Sequence, residues 1–130
     1  MAGAPAAAKQ FNKVAVHLAG RRFLPVWAVL HHRGRSTGKE YATPVTVLAT
    51  PTTFVIGLPW GRRTDWVRNV RAAGGCTIRW KGRDYDCSAP TFVGKDVALA
   101  AASGRVRRII ERRDMSGGYL QLARRATAEA

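Results

Sequence analysis

Apolar residues near the start of the chain recur at helical spacing. Phe11, Val14, Ala15 and Leu18 fall at i, i+3, i+4 and i+7, with Lys9 and Lys13 off the stripe. The pattern predicts a helix over residues 6–18, within an N-terminal segment 1–20 closed by Gly20. The stripe suits packing on a core, and the basic remainder suits transient contact with a membrane surface. The pattern then changes to strands. Pro25 opens Val26-Trp27-Ala28-Val29-Leu30, a β-type run ending at His31. Pro44 to Ala49 forms a second, with Val45, Val47 and Ala49 on one face. After the turn Thr50-Pro51-Thr52, Thr53 to Leu58 is apolar on both faces and predicts a fully buried strand. Pro59-Trp60-Gly61 breaks it. A helix follows from Thr64-Asp65, with Thr64 as N-cap, Trp66, Val70 and Ala73 on one face, Arg68 and Arg71 opposite, and Gly74-Gly75 at its end.

Residues 76–90 read as a hairpin turning at Lys81-Gly82. That turn sets Ile78 opposite Tyr85, Trp80 opposite Arg83 and Cys76 opposite Cys87, with Arg79–Asp84 and Thr77–Asp86 on the other face. Apolar and polar residues sort almost completely between the faces, as a half-buried hairpin requires. Beyond Pro90 the pattern is helical over 94–126. Val97, Ala100 and Ala101 form one stripe, and Val106, Ile109 and Ile110 another among arginines. Tyr119, Leu120 and Ala123 suggest a short last helix. About five or six short strands, joined by hairpins with one inserted helix, point to a small antiparallel barrel in a single domain 1–130.

Composition narrows the partners. The chain is 46% hydrophobic, which fits a folded protein, and carries 22 Lys and Arg against 8 acidic residues, a net charge of +14. That charge predicts an anionic partner: nucleic acid, anionic lipid or a polyanionic small molecule. No membrane-spanning run or signal peptide is apparent, so the expectation is a cytoplasmic protein. Two cysteines and three histidines complete no metal spacing, and in a reducing compartment Cys76 and Cys87 are expected as free thiols.

The charge concentrates in His31-His32-Arg33-Gly34-Arg35-Ser36-Thr37-Gly38-Lys39-Glu40-Tyr41-Ala42-Thr43-Pro44-Val45. Flexible backbone, N–H groups, hydroxyls and cations in one loop are the requirements of an anion site. It is not a nucleotide P-loop: three residues, not four, separate Gly34 from Gly38, and Glu40 follows Lys39 where a hydroxyl would bind Mg²⁺. No G-x-S-x-G frames Ser36 as a nucleophile, and the tandem histidines read as a strand end at the site rim. Trp60, Trp66, Trp80 and Tyr85 could stack bases, but Trp66 and Trp80 lie on predicted core faces; only Trp60 lacks a packing reason. The remaining reading is a phosphate-bearing cofactor. Ser36, Thr37 and backbone N–H groups would take the phosphate, Arg35 and Lys39 would supply charge, and Gly57 to Asp65 would form the second jaw. The absence of an evident acid–base pair suits redox chemistry, whose reactive centre belongs to the cofactor.

Three ordered motifs carry a resemblance. The stretch Arg33 to Val45 resembles the signature loop of the deazaflavin (coenzyme F-420)-dependent nitroreductase and quinone reductase family. Thr64-Asp65-Trp66-Val67-Arg68-Asn69-Val70-Arg71-Ala72-Ala73-Gly74-Gly75 resembles its second marker, and Arg79-Trp80-Lys81-Gly82-Arg83-Asp84-Tyr85 its hairpin. The likeness runs from about Val26 to Pro90. It implies an α+β split β-barrel, like that of flavin-mononucleotide-binding oxidases, with flanking helices. It also implies coenzyme F-420, whose reduced deazaflavin gives a hydride to a quinone, nitro compound or activated alkene. By the family pattern Arg35, Ser36, Thr37, Gly38 and Lys39 hold the phosphate end beside Tyr41. Pro44, Val45 and Leu58, Pro59, Trp60, Gly61 flank the ring, and Thr64 and Asp65 close the site. The apolar Gly57-Leu58-Pro59-Trp60 replaces small polar residues of some members, and the proton after hydride transfer would come from Tyr119, a histidine or water. Split barrels often pair through sheet faces, so a homodimer is expected. The competing readings are a non-catalytic cofactor or lipid carrier on the same scaffold, and a nucleic-acid-binding module.

Overall fold

The computed structural model describes residues 27–126. The helix expected over 6–18, and Pro25 and Val26 of the first expected strand, lie outside these residues. Six antiparallel strands close a barrel in the order β1-β2-β3-β6-β5-β4. They are β1 (Trp27–Arg33), β2 (Glu40–Ala49), β3 (Thr53–Gly57), β4 (Gly75–Trp80), β5 (Arg83–Val93) and β6 (Tyr119–Ala126). Helix α1 (Asp65–Ala73) connects β3 to β4, and α2 (Lys95–Ala101) and α3 (Gly104–Arg112) connect β5 to β6.

The alternation of the sequence decides what enters the barrel. Ala28 and Leu30 of β1, Val45 and Val47 of β2, Phe54 and Ile56 of β3, Ile78 of β4, Cys87 of β5, and Leu120 and Leu122 of β6 share one core. Trp66, Val67 and Val70 of α1 join them, so the helix packs into the same core. A smaller cluster of Val55, Ala98, Ile110 and Tyr119 lies between the other side of β3 and β6 and helices α2 and α3. Phe54, Val55 and Ile56 are accordingly buried on both faces of β3, as its continuous apolar run requires.

The β4–β5 register is the one the sequence predicts, from Gly75 opposite Ser88 to Trp80 opposite Arg83. Lys81 and Gly82 both adopt positive φ, 50° and 75°, which matches the twist of a two-residue hairpin turn. Cys76 and Cys87 face each other as thiols. The Cys87 thiol, followed by burial, pushes the Cys76 pKa up.

The C-terminal segment departs from expectation. Helices occupy 95–112, but Tyr119 to Ala126 is a strand between β3 and β5, not a helix. Leu120 and Leu122 alternate into the core, and both neighbours supply ladder partners. This tertiary pairing overrides the helical spacing of Tyr119, Leu120 and Ala123. Strands β1 and β2 are also longer than predicted, so His31, His32, Tyr41 and Thr43 belong to a ladder and not to a loop.

Candidate functional site

The inward rows of β1 and β2 change character at one mouth of the barrel. On β1 the row Ala28, Leu30 continues to His32; on β2 the row Val47, Val45 continues to Thr43 and Tyr41. His32 is paired with Tyr41 across the ladder, their rings stacked with centroids 5.4 Å apart. Lys39 Nζ lies 5.7 Å from the Tyr41 ring centre. Between the two strands the chain makes a tight turn. Gly34 N–H donates to the Lys39 carbonyl at 2.8 Å, and Gly38 N–H to the Gly34 carbonyl at 2.9 Å. Gly38 has φ 70°, which a side chain would strain.

The turn is less open than the sequence suggests. Four of its N–H groups, those of Gly34, Arg35, Gly38 and Lys39, already have partners within the protein. Ser36 and Thr37 are exposed at its tip, and the Thr37 hydroxyl accepts from Lys39 N–H at 3.2 Å.

A buried polar chain ties the turn to helix α1. Asn69, 3% exposed, accepts at Oδ1 from the backbone N–H of Arg35 at 3.1 Å and from its Nη1 at 2.8 Å. Asn69 Nδ2 meets His32 Nδ1 at 3.1 Å, and His32 Nε2 meets Thr43 Oγ1 at 3.0 Å. Arg35 Nη2 stands 3.7 Å from Asp65 Oδ1 at the start of α1. Burial lowers the His32 pKa from 6.5 to about 4, against an upward pull from Asp65 and with a further push down from His31. The ring is therefore neutral at pH 7.

Thr64 takes the N-cap position of α1 as predicted, but its hydroxyl makes no capping bond. Thr64 Oγ1 is buried without a hydrogen-bond partner, the one such side-chain atom among the described residues. A buried hydroxyl left unmatched beside a helix N-terminus fits a bound acceptor group. Arg35 stands beside the start of α1 through Asp65, the residue after Thr64, and a cation next to a helix N-terminus suits the anionic end of a phosphate-bearing cofactor.

The second jaw is braced by a segment the sequence did not single out. Leu58 N–H donates to the Gly118 carbonyl at 3.1 Å, Gly117 N–H to the Leu58 carbonyl at 3.2 Å, and the Ser116 hydroxyl to the Pro59 carbonyl at 3.1 Å. A Cβ on Gly117 would stand 2.7 Å from the backbone of Gly61, so glycine permits this approach. Trp60 is 57% exposed on the jaw.

The candidate residues thus divide. Arg35, Asp65 and Thr64 gather at the turn and the start of α1, with Ser36, Thr37, Gly38, Lys39 and Tyr41 beside them. Pro59, Trp60 and Gly61 lie on the braced jaw. Val45 and Leu58 point into the core, 6% and 2% exposed. Pro44 alternates away from the inward row. Tyr119, placed by the sequence on a helix at the site, instead packs with Val55, Ala98 and Ile110 under α2 and α3. Its pKa is raised, first by burial. Sequence reasoning missed Asn69 and His32 as site residues; the parity of β1 would have carried His32 inward had the strand been extended past His31. A depression of about 300 Å³ lined by Asp86, Cys87, Ser88, Ala123, Arg124 and Arg125 lies on the β5–β6 ladder, across the barrel from this mouth. Among the described residues no cluster of His, Cys, Asp or Glu could hold a metal, and no helix is long and apolar enough to cross a membrane.

A family profile for F-420H(2)-dependent quinone reductase matches residues 7–115. The chain belongs to the F-420H(2)-dependent quinone reductase family. Its cofactor is coenzyme F-420, and the fold agrees. An F-420-H2 dependent reductase superposes with TM-score 0.54 at 11% identity, covering 75% of this chain and 93% of that one. A Clostridium acetobutylicum protein related to general stress protein 26 of B. subtilis, of the pyridoxinephosphate oxidase family, gives TM-score 0.53 at 9% identity. It covers 88% of this chain and 84% of its own. Comparison with curated sequences finds no match. This quinone reductase family member is therefore an F-420-dependent oxidoreductase on a split β-barrel.

Proposed function

We propose that the chain reduces a small electron-poor acceptor, a quinone, nitro compound or activated alkene, at the barrel mouth between the 34–39 turn and the 58–61 jaw. When bound, reduced F-420 supplies the hydride. Arg35 and Lys39 bind the phosphate end with the hydroxyls of Ser36 and Thr37, and the unmatched Thr64 hydroxyl and first-turn N–H groups of α1 add donors. Pro59, Trp60 and Gly61 flank the ring, with the exposed Trp60 indole as a stacking surface. The observation that carries this reading is Arg35, held by Asn69 through both its backbone and its guanidinium and standing 3.7 Å from Asp65 at the start of α1.

Neither Tyr119 nor His32 is free to donate a proton at the mouth. Tyr119 packs under α2 and α3, and the His32 ring is engaged at both nitrogens. Water at the mouth is the proton source in this mechanism. Excess positive charge steers the anionic cofactor over distances comparable to a Debye length, about 8 Å at physiological salt.

Equilibrium titration with F-420 tests the site. Arg35→Ala should weaken binding at least about tenfold, the loss of roughly one charge-assisted hydrogen bond, and flatten its salt dependence. Wild-type affinity and an unchanged salt slope would place the phosphate elsewhere. An acceptor screen with the reduced cofactor then separates a reductase from a carrier, which would bind F-420 and turn over none.

A further inference from the structure

The two cations of the 34–39 turn share one anchor, and it is the His32 ring. Arg35 has only donors, so the Asn69 atom that faces both its N–H and its Nη1 must be the amide oxygen. The opposite end of the amide, Nδ2, then donates to His32 Nδ1, which must present a lone pair. The ring proton is left on Nε2, where Thr43 Oγ1 accepts it. Every donor direction in the chain follows from Arg35 and requires a neutral imidazole of one tautomer. On its other side the same ring stacks on Tyr41, over which Lys39 Nζ rests. Arg35 reaches His32 through Asn69, and Lys39 reaches it through Tyr41.

We propose that Asn69 and His32 are positioning residues that hold Arg35 and Lys39 ready for the anionic end of F-420. The inference rests on the reading of the turn as the phosphate subsite. Preorganisation is the physical gain: an arginine fixed through its own backbone and head group loses little freedom when an anion arrives. A proton on Nδ1 would set a donor against the Asn69 Nδ2 donor. The amide could then satisfy the ring only by turning its oxygen away from Arg35. The charged and titratable groups facing the ring are Asp65 from α1, His31 from β1 and Tyr41 from β2.

Long-range ¹⁵N NMR of the cofactor-free protein reads the tautomer, and F-420 titration reads the consequence. At pH 7 wild-type His32 should show a protonated Nε2 and a bare Nδ1. Asn69→Asp should keep an acceptor toward Arg35 but present one to Nδ1 as well, raising the His32 titration from about 4 to its ordinary value or above. Asn69→Ala and His32→Leu should weaken F-420 binding by about tenfold. His32→Asn, which retains an acceptor where Nδ1 stood, should bind within about threefold of wild type. Arg35→Ala is the control for the underlying reading: if it binds as wild type, the turn is not the phosphate subsite and that reading fails. If Arg35→Ala is weakened while Asn69→Ala and His32→Leu bind normally, the positioning role is overturned and the subsite stands. Should Asn69→Ala or His32→Leu not fold, the tautomer decides. A charged ring, or a proton on Nδ1, in the wild type at pH 7 overturns the proposal.

Discussion

Two hairpins of this barrel are closed in opposite ways. The β4–β5 hairpin closes on itself: a two-residue turn at Lys81-Gly82, an unbroken ladder of six pairs, and an Arg79–Asp84 pair at 3.1 Å on its outer face. The β1–β2 hairpin closes on something else. Its turn carries Arg35, whose backbone and guanidinium are both held by Asn69, a residue 34 positions on. The first hairpin sets its turn and its register by its own hydrogen bonds, while its outer edges pair with β1 and β6, and it has no assigned chemistry. The second depends on a helix folded elsewhere, and the candidate site lies on it. Both turns spend backbone N–H groups on closing themselves, but the turn held from outside has its arginine fixed by Asn69 and keeps Ser36, Thr37 and Lys39 exposed.

Breaking the self-contained hairpin should have the largest effect. A Cβ on Gly75 would lie 2.2 Å from the Cys87 carbonyl oxygen, a clash with the backbone of the partner strand. Gly75→Ala should therefore destabilise the fold by about 3 kcal/mol or more in urea unfolding, the range of overpacking within a ladder. A loss under about 1 kcal/mol would show that the β4–β5 ladder relaxes freely.

The externally held hairpin should instead respond to acid. His32 is harder to protonate folded than unfolded, with its pKa lowered from 6.5 to about 4. Above 6.5 both states are neutral and nothing is lost. As pH falls from 6.5 to about 4 the unfolded chain takes up a proton that the folded chain refuses, and stability declines. Below about 4 the loss levels off, at no more than roughly 3.4 kcal/mol from the conversion of 1.36 kcal/mol per pKa unit. Denaturant midpoints of wild type and His32→Asn across this window check the sign. The variant should lose less stability, and equal slopes would remove His32 as the source.

The finest comparison pairs two turn glycines. Gly38 and Gly82 have φ of 70° and 75°, and a Cβ on either meets nothing within 4 Å. Alanine at each should cost about 1 kcal/mol from the left-handed backbone alone. Only Gly38→Ala should also weaken F-420 binding, since only its turn carries Arg35 and Lys39. Equal affinity in the two variants would separate the turn from the cofactor.

How much was legible follows the same division. The β4–β5 register could be read because turn type and alternation are local, and each pair confirms the next. The anion character of residues 33–39 could be read because it is composition. The strand at Tyr119 to Ala126 could not: Ala123, Arg124 and Arg125 have little strand preference, and only β3 and β5 on either side make Leu120 and Leu122 inward residues. Tyr119 accordingly moved from a candidate donor to a packing residue beneath α2 and α3.

The sequence by itself determined the barrel's apolar alternation, the tight hairpin, the helix after Thr64 and the gathering of cations near Gly34 and Gly38, because each depends on neighbours a few residues apart. Tertiary structure decided that four of the turn's N–H groups are already engaged, that Val45 and Leu58 face the core, and that Asn69 and a neutral His32 hold Arg35. The hold of Asn69 on Arg35 and His32 depends on which buried donor finds which acceptor across 30 or more positions of chain. Only closure of the barrel brings such partners within hydrogen-bonding distance.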